Sequence, residues 1–222
     1  MKKLVIRLTP NKEDYLKIIY ELGGTEKKIN NKEIVKRLRV SAASVSEMMS
    51  KLLKEGYIER LPYQGVELND KGLRKASTLI RKHRIWEVFL VEHLGYSWNE
   101  VHAEAEVLEH VSSIELTNRL EKYLDFPKIC PHGGMIPEKN GILKEPLLEK
   151  LTEQNENQKV LIKRVADEKD LLDYLVSIDI GINDVCIINS IGAYEGSVVV
   201  EKEHKKIQIS FKAASDIFVQ AI

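Results

Sequence analysis

Apolar positions in the first third of the chain recur at intervals of three and four. In "PNKEDYLKIIYELGG", Tyr15, Ile18, Ile19 and Leu22 keep that spacing. It predicts a helix with Thr9 as cap and Pro10 at its first turn, stopped by Gly23 and Gly24. "NNKEIVKRLRV" predicts a shorter helix on Ile34, Val35 and Leu38. "SAASVSEMMSKLLKEG" predicts a third, capped by Ser41, with Ala42, Val45, Met48, Met49, Leu52 and Leu53 apolar and Gly56 at its end. Two brief extended runs follow, Tyr57, Ile58 and Leu61, then Val66 and Leu68. Pro62 to Gly65 separate them, so they read as a small hairpin. Helical spacing then resumes. A long helix capped by Asp70 runs to about Leu94, another from about Trp98 to His110, and a third through Ile114, Leu116, Leu120 and Leu124.

The pattern breaks after Phe126. "FPKICPHGGMIPEKNG" is too rich in Pro and Gly for regular structure, and "LLEKLTEQNENQKV" reads as a polar linker. Beyond it lie β-rich runs, "KVLIKRVAD", "DVCIINSIG", "SVVVEKEHKKIQIS" and "DIFVQAI", with one helix in "EKDLLDYLVSI". Several short strands so close together predict a small barrel. The expectation is a mainly α protein with a small β domain.

Composition narrows the class. The 222 residues are 43% apolar and 31% charged, ordinary for a globular protein. No long uncharged apolar window occurs, so no membrane partner is expected. The apolar run in "MKKLVIRLTP" is too short for a signal peptide. Two cysteines, Cys130 and Cys186, make no disulfide framework and fit a reducing cytoplasm. The net charge is zero but unevenly spread. Residues 1–85 carry 20 Lys/Arg against 10 Asp/Glu, residues 86–130 carry 3 against 9, and residues 131–222 carry 11 against 15. A basic first third on an acidic remainder points to a polyanion partner for that third.

Helix, short helix, turn, helix and hairpin is the winged helix-turn-helix order, with the turn at "RLRVSAAS" and residues 42–55 as recognition helix. Ser41, Ser44, Ser46 and Glu47 stand on the side away from its apolar stripe, where hydroxyls admit close approach to double-stranded DNA and Glu47 can accept from a cytosine amino group. Lys36, Arg37, Arg39, Lys51 and Lys54 are candidates for phosphate contact, and Tyr63 and Gln64 mark the hairpin tip.

A second constellation is "HAEAEVLEH", with two histidines, three glutamates and no basic residue. On a helix, His102, Glu106, Glu109 and His110 fall within an arc of about 100° and Glu104 lies opposite. Like charges at such spacing repel, so a cation is expected among them. His83 and Glu87 share a face of the long helix, and Asp14 stands in the first helix between Glu13 and Lys17. Oxygen and imidazole donors suit Mn²⁺ and Fe²⁺, and Zn²⁺ binds such sites too. "CPH" adds the Cys130 thiol and the His132 imidazole without completing a zinc finger, and Cys130 reads equally well as a small buried residue. Cys186 alternates like a strand core residue; His93 and His204 lack obvious partners. One alternative is a metal-dependent hydrolase, but no separate general base or substrate-anchoring motif is visible. Another is a winged-helix regulator sensing an organic ligand, which would need no such donor face, so no small organic substrate is expected.

"TPNKEDYLKIIYEL", "VSAASVSEMMSKLLKEGYIE", "LNDKG", "RKHRIWEVFLVEHLGYSWNEVHAEAEVLEHVSS" and "CPHGGMIP" together resemble the diphtheria toxin repressor family, most closely its manganese-responsive branch. The resemblance spans nearly the whole chain. It implies a non-enzymatic, metal-dependent repressor of metal-uptake genes that binds a palindromic operator as a homodimer. It also implies a winged helix-turn-helix domain over residues 1–77, a helical dimerisation and metal-binding domain over 78–148, and a linker with an SH3-like, ferrous-transport-accessory-like domain over 149–222. Asp14, Glu106, Glu109 and His110 match the primary, regulatory site, joined by His83. Glu106 and Asp14 stand where iron-type members carry sulfur ligands, which favours Mn²⁺, with Fe²⁺ a further candidate and Zn²⁺ or Cd²⁺ able to stand in. Glu87, Cys130, His132 and Asp167 match a second site that joins the third domain to the middle one, and His102 matches an ancillary-site histidine of the iron branch. Lys17 departs from the pattern, standing where some short manganese regulators carry a second carboxylate. Residues 1–7 precede the family's usual start.

Overall fold

The structure, a computed structural model, describes residues 8–25, 27–61 and 64–222. Residues 1–7 and Tyr63 of the expected hairpin tip lie outside the described residues. The chain forms two compact units, one of Met1–His83, Glu109–Ser112 and Pro137–Leu143, the other of Arg84–Leu108, Ser113–Ile136 and Lys144–Ile222.

The first unit opens with α1 (Pro10–Glu21), α2 (Asn31–Leu38) and α3 (Ala42–Lys54). Pro10 starts α1 as expected, but Thr9 makes no side-chain cap bond. α2 is closed by a capping box, in which the Asn30 side chain accepts from the Glu33 N–H and Glu33 accepts from the Asn30 N–H, both at 3.0 Å. α2 ends on Arg39 in the left-handed region (φ 56°), and Ser41 caps α3 by accepting from Ser44 N at 3.1 Å. Leu16, Ile19, Ile34, Val45 and Leu52 are fully buried in one core. Ala42 and Leu53, which share the apolar periodicity of α3, are exposed. The burial of Met48, Met49 and Leu52 instead defines a narrower stripe.

The hairpin strands β1 (Ile58–Leu61) and β2 (Gly65–Leu68) pair antiparallel, Ile58 opposite Leu68. An isolated bridge joins Ile29 to Val66. That bridge requires glycine at position 65, where φ is +119° and a Cβ would lie 2.5 Å from the Ile29 carbonyl oxygen. α4 (Asp70–Leu94) begins after Asn69, whose side chain accepts from Gly72 N at 3.0 Å. Asn69 is therefore the cap, and Asp70 places its negative charge in the first turn, where the helix dipole favours it.

In the second unit α4 continues beside most of α5 (Val101–Val111), which starts three residues later than Trp98, and α6 (Ile114–Tyr123), capped by Ser113. Large apolar side chains stand exposed at Val107, Ile114, Leu116, Tyr123, Phe126 and Ile129. The β domain contains β3 (Glu149–Lys150), β4 (Lys159–Val165), α7 (Lys169–Ser177), β5 (Val185–Ile191), β6 (Val198–Lys202), β7 (Lys205–Ile209), α8 (Phe211–Ala214) and β8 (Ile217–Ala221). The strands form one antiparallel sheet ordered β3-β8-β4-β5-β6-β7. It is bulged between Ile162 and Arg164 and between Ile188 and Ser190, which curls it round a core of Val160, Ile162, Leu172, Leu175, Ile188 and Ile217. Cys186 is buried in that core, and its thiol is pushed up to about 11, mainly by burial. This is the small SH3-like domain.

The stretch expected as a polar linker is corrected here. β3 pairs with β8 and Leu151 is buried in the barrel core, because one inward-turned leucine is enough to seat an edge segment. α8 is four residues long, too short to leave a periodic signal.

Within the second unit the barrel is held against the helical segments by several contacts. Glu145 forms ion pairs with Arg84 at 2.7 Å and with Arg164 at 3.1 Å. Arg84 also donates to the Met135 carbonyl, Arg164 lies 4.1 Å from the Phe218 ring centre, and Asn99 donates to Asp173 at 2.9 Å. Trp98 packs on the barrel core.

Candidate metal centres and nucleic-acid face

The first cluster joins α1 to the end of α5. Ligand atoms of Asp14, Glu109 and His110 all lie within 4.8 Å of one another. His110 Nε2 is 2.8 Å from Asp14 Oδ1 and 3.6 Å from Glu109 Oε1, and its Nδ1 is 2.9 Å from Glu13 Oε2. Hydrogen bonds to Asp14 and Glu13 push the His110 imidazole up to about 9, against its partial burial. A proton is thus held where three carboxylates converge, which is also where a divalent cation fits. Glu109 is 1% exposed. Burial works against its charge, but the hydrogen bond with His83 (Nδ1 to Oε2, 2.5 Å) and the neighbouring Lys17 ammonium (3.0 Å) outweigh it and hold the carboxyl below its usual range. Lys82 donates to the carbonyls of Glu109 and Ser112, capping the end of α5. Two carboxylates and an imidazole form a donor set that fits Mn²⁺ or Fe²⁺.

The second cluster lies in the other unit. Glu87, Cys130 and His132 are all buried and bring ligand atoms within 4.8 Å of one another. His132 Nδ1 is 3.0 Å from Glu87 and 3.5 Å from Asp167, while Nε2 donates to the Trp98 carbonyl at 2.6 Å. That carbonyl leaves Nδ1 as the ligand atom. Burial opposes charge on His132, yet Glu87, Cys130 and Asp167 push it up to about 12; burial raises the Cys130 thiol, helped by Glu87. The loop closes through Cys130 N to the Gly134 carbonyl and Gly133 N to the Cys130 carbonyl, both 2.9 Å. Gly133 has φ +83°, and a Cβ there would meet the Lys163 carbonyl at 2.0 Å. Only glycine lets β4 run alongside, where Val165 N donates to the His132 carbonyl at 3.1 Å and Asp167 follows two residues beyond the strand.

The four donors of the single α5 face are therefore divided. Glu109 and His110 enter the first cluster. His102 Nδ1 lies 2.7 Å from Asp167, and its Nε2 faces Glu106 at 3.5 Å in the second unit. His83 touches Glu109 but is not among the three clustered ligands. His93, without an obvious partner in the sequence, stacks on Phe89 at 5.5 Å and meets Tyr123 at 5.0 Å; His204 is exposed, 4.0 Å from Glu201. Sequence reasoning passed over Glu13 as a partner of His110, the Trp98 carbonyl, and the Arg84–Glu145–Arg164 group. Glu13 had a signal, since Glu13, Asp14 and Lys17 share an arc of about 100° on α1.

On the recognition helix Ser41, Ser44, Ser46, Glu47, Lys51 and Lys54 are exposed, as are Lys36, Arg39 and Gln64. Ser41 and Ser44 hydroxyls are bonded at 2.8 Å, Asn31 donates to Ser46 at 3.3 Å, and Lys51 pairs with Glu47 at 2.7 Å. Arg37 is half-buried and bonded to Glu21 at 3.3 Å.

Comparison with known proteins places this architecture. Residues 7–66 match the iron dependent repressor N-terminal DNA binding domain, residues 69–138 its metal binding and dimerisation domain, and residues 149–221 the FeoA domain. The chain is 37% identical over 130 residues to the iron-dependent repressor IdeR of Mycobacterium tuberculosis, covering 59% of this chain and 56% of that protein. It thus aligns with little more than half the length of such relatives. The solved structure of the manganese regulator SloR is 43% identical, covering 97% of this chain and all of that one, with a TM-score of 0.86. The structure of ScaR with bound Zn²⁺ is 43% identical over 96% of this chain and 100% of that chain, with a TM-score of 0.88. Fold and matches define a winged-helix, metal-binding regulator with a C-terminal FeoA domain. The chain belongs to the diphtheria toxin repressor family, in its manganese-responsive branch. Its relatives are repressors and regulators rather than enzymes, which leaves the hydrolase alternative without support.

Proposed function

We propose that this chain is a manganese-activated repressor that binds a palindromic operator as a homodimer and controls metal-uptake genes. The observation that carries the reading is the first cluster. Asp14 comes from the helix that packs under the recognition helix in one core, and Glu109 and His110 come from α5. A bound Mn²⁺ would supply the positive charge these acidic groups lack. Asp14, Glu109 and His110 would hold it; His83 and Lys17 orient Glu109, and Glu13 accepts from His110 when the imidazole is protonated. Restraining α1 against α5 in the pose that fits the operator couples metal and DNA reciprocally. Glu106, whose carboxylate faces His102 here, is assigned to the regulatory site on the family resemblance alone. Glu87, Cys130, His132 and Asp167, with His102 beside Asp167, form a second site. Fe²⁺ is a further activator, and Zn²⁺ and Cd²⁺ are substitutes with the same donors.

DNA is met by Ser41, Ser44, Ser46 and Glu47 in the major groove and by Lys36, Arg39, Lys51, Lys54 and Gln64 along its edges. The exposed apolar side chains from Val107 to Ile129 supply the dimer face. The functional segments run over 1–77, 78–148 and 149–222. No described helix is long and apolar enough to cross a membrane, and the place of action proposed is the cytoplasm. The test is operator binding by fluorescence anisotropy with Mn²⁺ and with chelator. Mn²⁺ should tighten it and chelation release it, with affinity falling steeply as salt rises. Equal affinity in both conditions overturns the reading.

A further inference from the structure

The recognition helix α3 carries two exposed serines one turn apart, Ser46 and Ser50. They use their hydroxyls in opposite ways. Ser50 donates to the Ser46 carbonyl at 2.9 Å, the back-bond that helical serines often make, which turns the proton inward. Ser46 makes no such bond to Ala42 among the described residues. Its Oγ is drawn sideways to α2, where the side-chain amide of Asn31, the first residue of that helix, donates to it at 3.3 Å. The other hydroxyls of this face are committed to each other. Ser41 accepts from Ser44 N at 3.1 Å, and the Ser41 and Ser44 hydroxyls are bonded at 2.8 Å. Glu47 offers only acceptor atoms and pairs with Lys51 at 2.7 Å. Among the described residues, Ser46 is thus a hydroxyl whose acceptor side is engaged and whose proton is not.

We propose that Asn31 fixes the direction of the Ser46 hydroxyl, so that Ser46 meets double-stranded DNA as a donor and reads an acceptor atom there. The inference rests on the reading that α3 enters the major groove. A serine hydroxyl holds one proton and rotates to suit its partners. Without Asn31, the Ser46 Oγ is free to take the arrangement of Ser50 and donate to the carbonyl four residues back, and its proton is lost to the groove. The Asn31 amide holds Oγ away from that carbonyl and fills a lone pair, which also strengthens the hydroxyl as a donor. A donor at this place matches purine N7, guanine O6, thymine O4 or a phosphate oxygen, and has nothing to offer the amino groups of cytosine and adenine. Glu47 has the opposite polarity and suits those amino groups. Neighbouring positions 46 and 47 therefore present a donor and an acceptor, and Asn31 sets the first of the two. Asn31 is a positioning residue that acts through Ser46.

The probe is a duplex selected from a random pool by the Mn²⁺-loaded full chain. Its affinity is read by fluorescence anisotropy for Asn31→Ala, Ser46→Ala and the double variant, all changes at the surface that leave the fold intact. Ser46→Ala should weaken binding roughly five-fold and Asn31→Ala roughly three-fold. The double variant should lose no more than Ser46→Ala alone, because the effect of Asn31 passes through the hydroxyl. Asn31→Asp, whose carboxylate only accepts, should turn the Ser46 proton away from the DNA. The part of its loss that vanishes in the Ser46→Ala background should exceed that of Asn31→Ala, and this difference cancels repulsion between the new carboxylate and phosphate. The acceptor is then found by replacing candidates singly: purine N7 by carbon, guanine O6 or thymine O4 by hydrogen, one phosphate oxygen by methyl. One such duplex should bind the parent and Ser46→Ala equally; a base atom makes Ser46 a reader of sequence, a phosphate makes it an anchor of register, and either supports donation. Additive losses in the double variant, full affinity in Ser46→Ala, or a Ser46→Ala loss that no single replacement cancels overturns the inference and leaves the proposed function standing. If the Mn²⁺-loaded parent selects no duplex at all, the proposed function fails and takes this inference with it.

Discussion

The two clusters use the same kinds of donor and are built in opposite ways. The first hangs on two helices, and Asp14, Glu13 and His110 remain partly open to solvent. The second is sunk between α4, a glycine-bent loop and the barrel, with Glu87, Cys130 and His132 buried. Beside it the Arg84–Glu145–Arg164 group ties the barrel to α4. An open cluster shared by two helices can respond to metal with a change of pose. A buried one whose surroundings are already latched can add stability but has little left to move. From this contrast we propose sensing for the first cluster and reinforcement for the second.

The sharpest test removes one ligand from each. Asp14→Ala should cost roughly 100-fold in Mn²⁺-dependent operator affinity, the upper range of allosteric coupling. His132→Ala should leave that coupling within about three-fold and lose instead the second cluster's share of the Mn²⁺-dependent rise in melting temperature. Anisotropy and calorimetry on both variants would show it. If His132→Ala abolishes DNA response as fully as Asp14→Ala, the division of roles is wrong.

The latch is next. Glu145→Ala leaves two guanidinium groups facing one another in a partly buried site and should cost about 2 kcal/mol of stability, with protease cleavage appearing between the helical segments and the barrel. Cleavage that appears in the parent on chelation alone would show that metal, not the latch, carries the docking. No such sensitivity is expected within residues 149–159, which are folded into the sheet and the turn beside it.

Protons give a third contrast. Near pH 7 the first cluster must shed the His110 proton, held to about 9, whereas the second must shed one from His132, held to about 12, and one from the buried Cys130 thiol. Mn²⁺ affinity should therefore rise with pH at both, about ten-fold per unit at the first and about 100-fold at the second. Calorimetry in buffers of different ionisation heat reads the proton counts directly. In the metal-free protein the sign reverses. The raised His110 pKa contributes stability that is complete below its ordinary value of 6.5 and is lost as pH rises through about 9.

The smallest effect expected is in Glu106→Cys. At an exposed position facing His102, it should change stability by less than about 0.5 kcal/mol while shifting metal preference from Mn²⁺ toward Zn²⁺. An unchanged preference in metal-binding competition would remove Glu106 from the ligand set.

Much of this was legible from residue order alone. The three helices and hairpin, the acidic and imidazole face of α5, the "CPH" loop and the run of short strands follow from local periodicity, capping and turn chemistry. Those interactions span only a few residues, so the sequence carries them directly. Errors came where a local signal was weak or was overridden: one apolar Leu151 seated a segment that looked like linker, and Asn69 rather than Asp70 capped α4.

What residue order left open was the pairing of distant donors. The α5 face is one stripe in the sequence, but His102 and Glu109 stand about 10 Å apart along the helix axis, too far for one ion. Their partners come from elsewhere in the chain: Glu13 is 97 residues from His110, and Lys17 is 92 from Glu109. Which carboxylate meets which imidazole, and whether a lysine comes to rest among them, depends on how helices pack, because packing alone sets distances between residues that the chain keeps far apart. The sequence determined that this protein carries metal-binding donors beside a DNA-reading helix; the tertiary structure decided that they form two clusters, one open and one locked, with an ammonium against the first.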